Sequence, residues 1–292
     1  MGIADEIKLS FKNGSYLTKL IYINIAMWVI VRLVFVGYTL SGSDGSQMLG
    51  WLALPASFDL LLSRPWTILS YMFLHFDLLH ILFNVLWLYW FGKIFLEYHS
   101  QQKLLSLYLL GGFSGGLAFI LAYNFLPVFQ KSIAEVQLLG ASASVIAIVI
   151  AIAVYVPNHL IHLVFIGPVK IKWIAFVSVL LYVINLAGDN PGGNFAHIGG
   201  AAWGGIYMMQ LMAGRNITGR FDRLTDGFFS WFRPRKKLKI KYNSVNPDYD
   251  YNRNRASQQD EINRVLEKIG KSGYDSLTFD ERDMLFKMGK KK

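Results

Sequence analysis

Gly140-Ala141-Ser142-Ala143-Ser144-Val145-Ile146-Ala147-Ile148-Val149-Ile150-Ala151-Ile152-Ala153-Val154-Tyr155 sets a small polar motif at the head of an unbroken apolar run. Two other apolar segments open in the same way, with His80-Ile81-Leu82-Phe83-Asn84 and with Ala196-His197-Ile198-Gly199-Gly200. Polar and ionisable groups are costly in hydrocarbon and are kept there mainly where they act. A serine and a histidine at matching depths in separate spans have the chemistry of a nucleophile and its base. The three motifs together point to peptide hydrolysis inside a bilayer.

The composition separates two bodies. The chain has 292 residues, 53% hydrophobic and 16% charged, where soluble domains carry about 25% charged residues. Of its 29 Lys and Arg, only ten precede residue 214. The net charge of +10 therefore belongs mostly to a polar tail, and no nucleic-acid partner is expected for the main body. The absence of cysteine excludes disulfides, thiolate catalysis and Cys-ligated metals. Met1 to Lys19 mixes acids with lysines and lacks a small-residue cleavage site after the first apolar run, which reads as a retained span and not a removed signal peptide.

A span needs about 20 apolar residues. Six stretches qualify, at about 17–40, 78–97, 104–125, 140–156, 172–188 and 195–213. The fourth is short, with an extension toward Leu163 where His159-Leu160-Ile161-His162 re-enters the interface. The expected fold is an all-α membrane bundle of six transmembrane helices with a small helical cytoplasmic tail. Lys8, Lys12, Lys19, Lys103, Lys170, Lys172 and the basic tail fall on one side, and Arg64 and Lys131 on the other. By the bias of cations toward the cytoplasm, both termini are cytoplasmic and the chain is a multi-pass cell-membrane protein. Membrane lipids are thus partners. The long outer loop 41–77, apolar from Met48 to Leu62, is expected to rest in the interface, and loops of that length are usually functional.

The domain reading is a cytoplasmic N-terminus (1–16), a six-span body (17–213), a basic juxtamembrane segment and linker (214–259) and a helical module (260–292). Phe228, Phe229 and Trp231 beside Arg233-Pro234-Arg235-Lys236-Lys237 suit an anionic leaflet. The module reads as a hairpin turning at Gly270 to Gly273, a candidate for an unidentified cytoplasmic partner.

Spans two, four and six enter from the same side, so His80, Ser142 and His197 share one level, each within about a turn of its span's start. Ser142 is the candidate nucleophile. Gly140 and Ala141 leave room beside it for a substrate backbone, although small residues also serve plain helix packing. Ser144 is the local rival and points elsewhere around the helix. Gly112-Phe113-Ser114-Gly115 resembles a nucleophile motif but lies mid-span with nothing polar to meet it, and reads as close packing. Gly200 and Gly204 let a neighbouring helix approach; if span four is that neighbour, His197 reaches Ser142. No carboxylate completes a triad, since Asp189 lies in the adjoining loop and Glu97 at the far end of span two. His80 and Asn84 share a helix face and can donate hydrogen bonds to a developing oxyanion. Zinc spacings are absent, so no metal and no cofactor is expected. His75, His99, His159 and His162 read as solvated loop or interface residues, and Arg32 has no assigned role beyond snorkelling or pairing with a helix end.

These residues resemble the rhomboid intramembrane serine proteases over about residues 17–213. The likeness rests on His80-x-x-x-Asn84, Gly140-x-Ser142 and Ala196-His197-x-x-Gly200-x-x-x-Gly204, with Arg64-Pro65-Trp66-Thr67 and Tyr71-Met72-Phe73-Leu74-His75 resembling the family's first outer loop. It implies a rhomboid-like bundle, Ser142 as nucleophile, His197 as base, and His80, Asn84 and the Ser142 amide around the oxyanion. It also implies transmembrane protein substrates with small or helix-weakening residues near the outer surface. Two departures stand out. Ala143 replaces a common glycine and narrows the space beside the nucleophile. Ile146 stands where some members have an aromatic stacking on the histidine, so aliphatic contact would hold the ring. Residues 260–288 resemble a small C-terminal module of some bacterial members. The competing readings are an inactive rhomboid-like protein that binds membrane clients, and a solute transporter, which would show midplane sites and inverted repeats.

Overall fold

The computed structural model describes residues 2–163, 166–231 and 247–289. These form two compact units, one of the described residues up to 231 and one of those from 247. The first unit opens with α1 (Ile3–Asn13) and α2 (Tyr16–Leu40). The outer-loop region holds short helices α3 (Ser46–Leu52), α4 (Phe58–Ser63) and α5 (Thr67–Ser70). The long helices α6 (Leu78–Tyr98) and α7 (Gln101–Phe125) follow, then α8 (Ser142–Tyr155), α9 (Ile171–Ile184), α10 (Pro191–Met212) and α11 (Gly219–Trp231).

Helices occupy all six stretches read as spans. Three of them, α2, α6 and α7, are long and apolar enough to cross a membrane. With 14 residues each, α8 and α9 would rise only about 21 Å, against a hydrocarbon core of about 30 Å. The outward faces are apolar: Val29, Leu33, Leu79, Phe83, Phe176 and Leu180 are all exposed, as suits helices solvated by lipid. By contrast α8 is buried over most of its surface, its residues from Ala143 to Ala153 other than Ile150 lying in the interior of the bundle.

Local chemistry fixes the ends. Ser15 and Ser100 accept the backbone N–H groups of Thr18 and Lys103, capping α2 and α7. The Asn190 side chain accepts from the Gly193 N–H at 2.9 Å, and Pro191 takes the first turn of α10. That cap starts α10 a turn earlier than hydropathy suggests, so His197 lies nearly two turns inside its helix, while Ser142 is the first residue of α8.

The connection after α8 corrects another expectation. Leu160–Leu163 do not prolong the helix; they form β3, paired antiparallel with β4 (Gly167–Lys170), with Leu160 opposite Lys170. Pro157 ends the helix, and the alternating exposure along 160–163 is that of a strand. Two shorter strands, β1 (Leu54–Pro55) and β2 (Gln137–Leu138), pair Leu54 with Leu138. This ties the 41–77 region to the chain just before the Ser142 motif. Arg64 donates to the Gly50 carbonyl at 2.8 Å and lies 4.6 Å over the Trp51 ring, which stacks on Trp66. Arg32 gains a setting the sequence did not suggest, with its guanidinium 4.7 Å over the Phe76 ring.

In the second unit α12 runs Pro247–Ser272, Gly273 turns the chain with φ +75, and α13 runs Phe279–Gly289. Residues 247–259, read as linker, are therefore helical. Pro247 suits a first helical turn, and Arg, Gln and Ala are good helix formers that need no apolar periodicity to be helical. Thr278 and Glu281 cap each other's backbone at the start of α13. The basic run Arg233–Lys237 and the side chains of Phe228, Phe229 and Trp231 lie outside the described residues.

Candidate active site

Three helices converge because one side of α10 and one side of α7 carry almost no side chain. A methyl group on Gly200 would run into the Ala143 carbonyl oxygen, and one on Gly204 into that of Ala147. Where α7 meets α8, Gly111 and Gly115 of α7 leave room for the methyls of Ala147 and Ala143. The Ala143 methyl is thus directed into the α7 packing and does not narrow the space beside Ser142.

With the helices this close, His197 Nε2 stands 2.6 Å from Ser142 Oγ. Accepting the serine proton at Nε2 requires the ring's own proton on Nδ1. That nitrogen is buried with no hydrogen-bond partner among the described residues. The Ser142–His197 pair opens into a cavity of about 330 Å³ also lined by His80, Phe83, Asn84, Trp87, Val145, Ile146 and Tyr182. Ile146, the expected aliphatic support for His197, lines the same cavity, and the Tyr182 ring of α9 also packs on the histidine at 4.3 Å between centroids.

The backbone leading into Ser142 is pinned. Gly140 has φ +118, a conformation closed to most side chains, and a methyl there would lie 2.8 Å from the His80 ring. Its N–H donates to the Tyr71 carbonyl at 2.9 Å. The next N–H, of Ala141, donates to His75 Nε2 at 3.3 Å. Ser142 then begins α8, and the N–H groups of a first helical turn have no acceptor within the helix and sit at its positive end. His80 and Asn84 both face the cavity; the Asn84 side-chain amide donates to the His80 carbonyl at 2.9 Å.

The rival serines are elsewhere. Ser144 is fully buried against Gly112. Ser114 donates to the Gly199 carbonyl at 2.8 Å, joining α7 to α10. Among the remaining histidines, His75 departs most from its reading as solvated: it is fully buried, with its ring 5.0 Å from that of His80. His99 packs between Phe95 and Tyr155 at the end of α6, where burial and then Lys103 hold its imidazole below the ordinary histidine range.

Residues 62–214, just over half of the chain, match the Rhomboid domain family. Residues 246–291 match a family of unknown function. Among curated proteins, the chain is 27% identical over 161 residues to RHOMBOID-like protein 12, mitochondrial, of Arabidopsis thaliana, covering 52% of this chain and 48% of that protein. It is 32% identical over 96 residues to Rhomboid protease GlpG of Pectobacterium atrosepticum, covering 33% of each. The chain thus spans about half or less of the length of these relatives. With glycine-faced helices, a serine and histidine in hydrogen-bond contact and a family match across the segment that carries them, the chain belongs to the rhomboid family.

Proposed function

We propose that the protein is an intramembrane serine endopeptidase that crosses the bilayer six times, keeps both termini in the cytoplasm and cuts transmembrane segments of other membrane proteins. The observation that carries this reading is the 2.6 Å contact between Ser142 Oγ and His197 Nε2 at the wall of an otherwise mostly apolar cavity. Such a cavity suits the side chains of a substrate unwinding out of lipid.

In the reaction, Ser142 Oγ bonds to the scissile carbonyl carbon as its proton passes to His197 Nε2. The carbonyl oxygen takes the negative charge. The Ser142 N–H at the head of α8, the His80 ring and the Asn84 amide are the donors proposed to meet it. Collapse breaks the C–N bond, and the amine leaves with the proton from His197. Water then attacks the acyl-serine with His197 again as base, freeing the carboxylic acid and restoring Ser142. No carboxylate assists His197 in this scheme.

The deciding experiment is labelling of the purified protein with a serine-reactive fluorophosphonate. Wild type should be labelled and Ser142→Ala should not. Equal labelling of both would move the nucleophile elsewhere or remove the activity.

A further inference from the structure

The His197 ring is held on one edge only by hydrogen bonding. Its Nε2 is committed to Ser142 at 2.6 Å, and its Nδ1 is buried without a partner among the described residues. In serine–histidine–carboxylate systems the carboxylate on Nδ1 fixes the ring's orientation, so in this protein something else must do so. The chain also has Ile146, not an aromatic, one turn after Ser142 on the face toward the cavity. The group that covers the imidazole is Tyr182, with centroids 4.3 Å apart and planes inclined at 50°. Offset, tilted ring pairs of this kind are favourable and directional.

Resting on Ser142 and His197 as the reacting pair, the geometry points to Tyr182 as a positioning residue for the general base. Its ring is the platform that keeps the imidazole in the orientation reaching Ser142. The His197 nitrogens make no hydrogen bond to the Tyr182 hydroxyl, Nε2 meeting Ser142 and Nδ1 having no partner among the described residues, so the role is assigned to the ring. Because Tyr182 comes from α9, a helix otherwise exposed along Phe176, Val177, Leu180 and Leu181, the orientation of the base depends on α9 staying packed. Tyr182 also lines the cavity, so a simple wall for the substrate is the competing role, and the two separate kinetically.

The test compares full-length wild type, Tyr182→Phe and Tyr182→Leu in liposomes with a model transmembrane substrate, with Ser142→Ala as the blank. Tyr182→Leu should lower kcat by about 10–100-fold, the scale of loss when a reacting group is displaced by about 1 Å. Its KM should stay within about twofold of wild type, as for an interaction that matters in the transition state. Tyr182→Phe should keep most of kcat. The rate of fluorophosphonate labelling should follow kcat, since that probe carries no peptide to contact a wall. Unchanged kcat in Tyr182→Leu, a change confined to KM, or equal loss in Tyr182→Phe would each overturn the positioning role. Should Tyr182→Leu not insert stably, Tyr182→Met, also apolar and unbranched, is judged by the same criteria. Failure of wild type to show Ser142-dependent labelling would instead refute the underlying site.

Discussion

His75 Nε2 accepts the Ala141 N–H at 3.3 Å, one residue ahead of Ser142. Acceptance there leaves the ring proton on Nδ1, which faces the Phe73 carbonyl at 3.4 Å. Together with the Gly140 N–H on the Tyr71 carbonyl, this fastens two successive peptide units before the nucleophile to the segment 71–75. The loop from 41 to 77 thereby helps set where Ser142 stands.

His75→Ala should therefore reduce both stability and turnover. It strands the buried Ala141 N–H, at a cost of about 1–3 kcal/mol, and removes the ring lying against His80. Thermal unfolding and kcat measured on the same preparation give the answer. Wild-type values in both would reduce His75 to a bystander.

Ser142→Ala and His197→Ala should each abolish cleavage, and the double variant should be no worse than either, because groups acting as a unit are non-additive. His80→Ala or Asn84→Ala should lower kcat by about 10²–10³-fold, the usual loss of one oxyanion donor, with KM little changed. Ser114→Ala, which loses only a packing hydrogen bond to Gly199, should keep most activity. Turnover by Ser142→Ala, or an effect of His80→Ala confined to KM, would break this assignment.

Much of this arrangement was legible in the sequence. Hydropathy located the helices because lipid-facing and buried positions are both apolar, and the Gly200–Gly204 spacing pointed to the close approach that joins His197 to Ser142. The supports were not legible. His75 acquires its place through the Gly140 N–H on the Tyr71 carbonyl and its own bond to the Ala141 N–H, tertiary contacts between segments far apart in sequence that no local period reveals. Tyr182 lies in an apolar helix beside other aromatics such as Trp173 and Phe176, and nothing in local spacing separates the one that meets a histidine. The early start of α12 was hidden because a polar helix has no apolar stripe to read.

Gly200 and Gly204 differ sharply from Gly205. A methyl on either of the first two meets a carbonyl of α8, whereas one on Gly205 meets only Ile150 Cγ2 at 3.7 Å. Gly200→Ala or Gly204→Ala should push α10 from α8, destabilise by about 1–3 kcal/mol or more as overpacking does, and reduce kcat. Gly205→Ala should be tolerated or stabilise by about 0.5–1 kcal/mol through helix propensity. Unfolding and turnover of the three variants should fall in that order; equal behaviour would contradict the close α8–α10 contact.

The proposed topology is open to single-cysteine labelling, since the chain has no cysteine of its own. Ser43 and Ser272 are both exposed. Ser43→Cys should react with an impermeant maleimide on intact cells, and Ser272→Cys only after the membrane is opened. The reverse pattern would put the Ser142 cavity toward the opposite face.

In the C-terminal unit, Lys268 Nζ donates to both carboxylate oxygens of Glu281, at 3.0 and 2.8 Å, joining α12 to α13. That contact, with the Thr278 N–H, holds the Glu281 carboxyl below its ordinary range. A carboxyl depressed in the folded state adds stability that is complete above its unfolded pKa, about 4.3, and is lost as pH falls through the folded value. The α12–α13 pairing should thus loosen on acidification below that point, and Glu281→Gln should behave at neutral pH as wild type does in acid. Hydrogen exchange of amides 262–286 in the full chain, corrected for the intrinsic pH dependence of exchange, reads this directly. Protection in wild type that is indifferent to pH between about 3 and about 5, one unit either side of the ordinary carboxylate range, would show that the ion pair adds nothing to the hairpin.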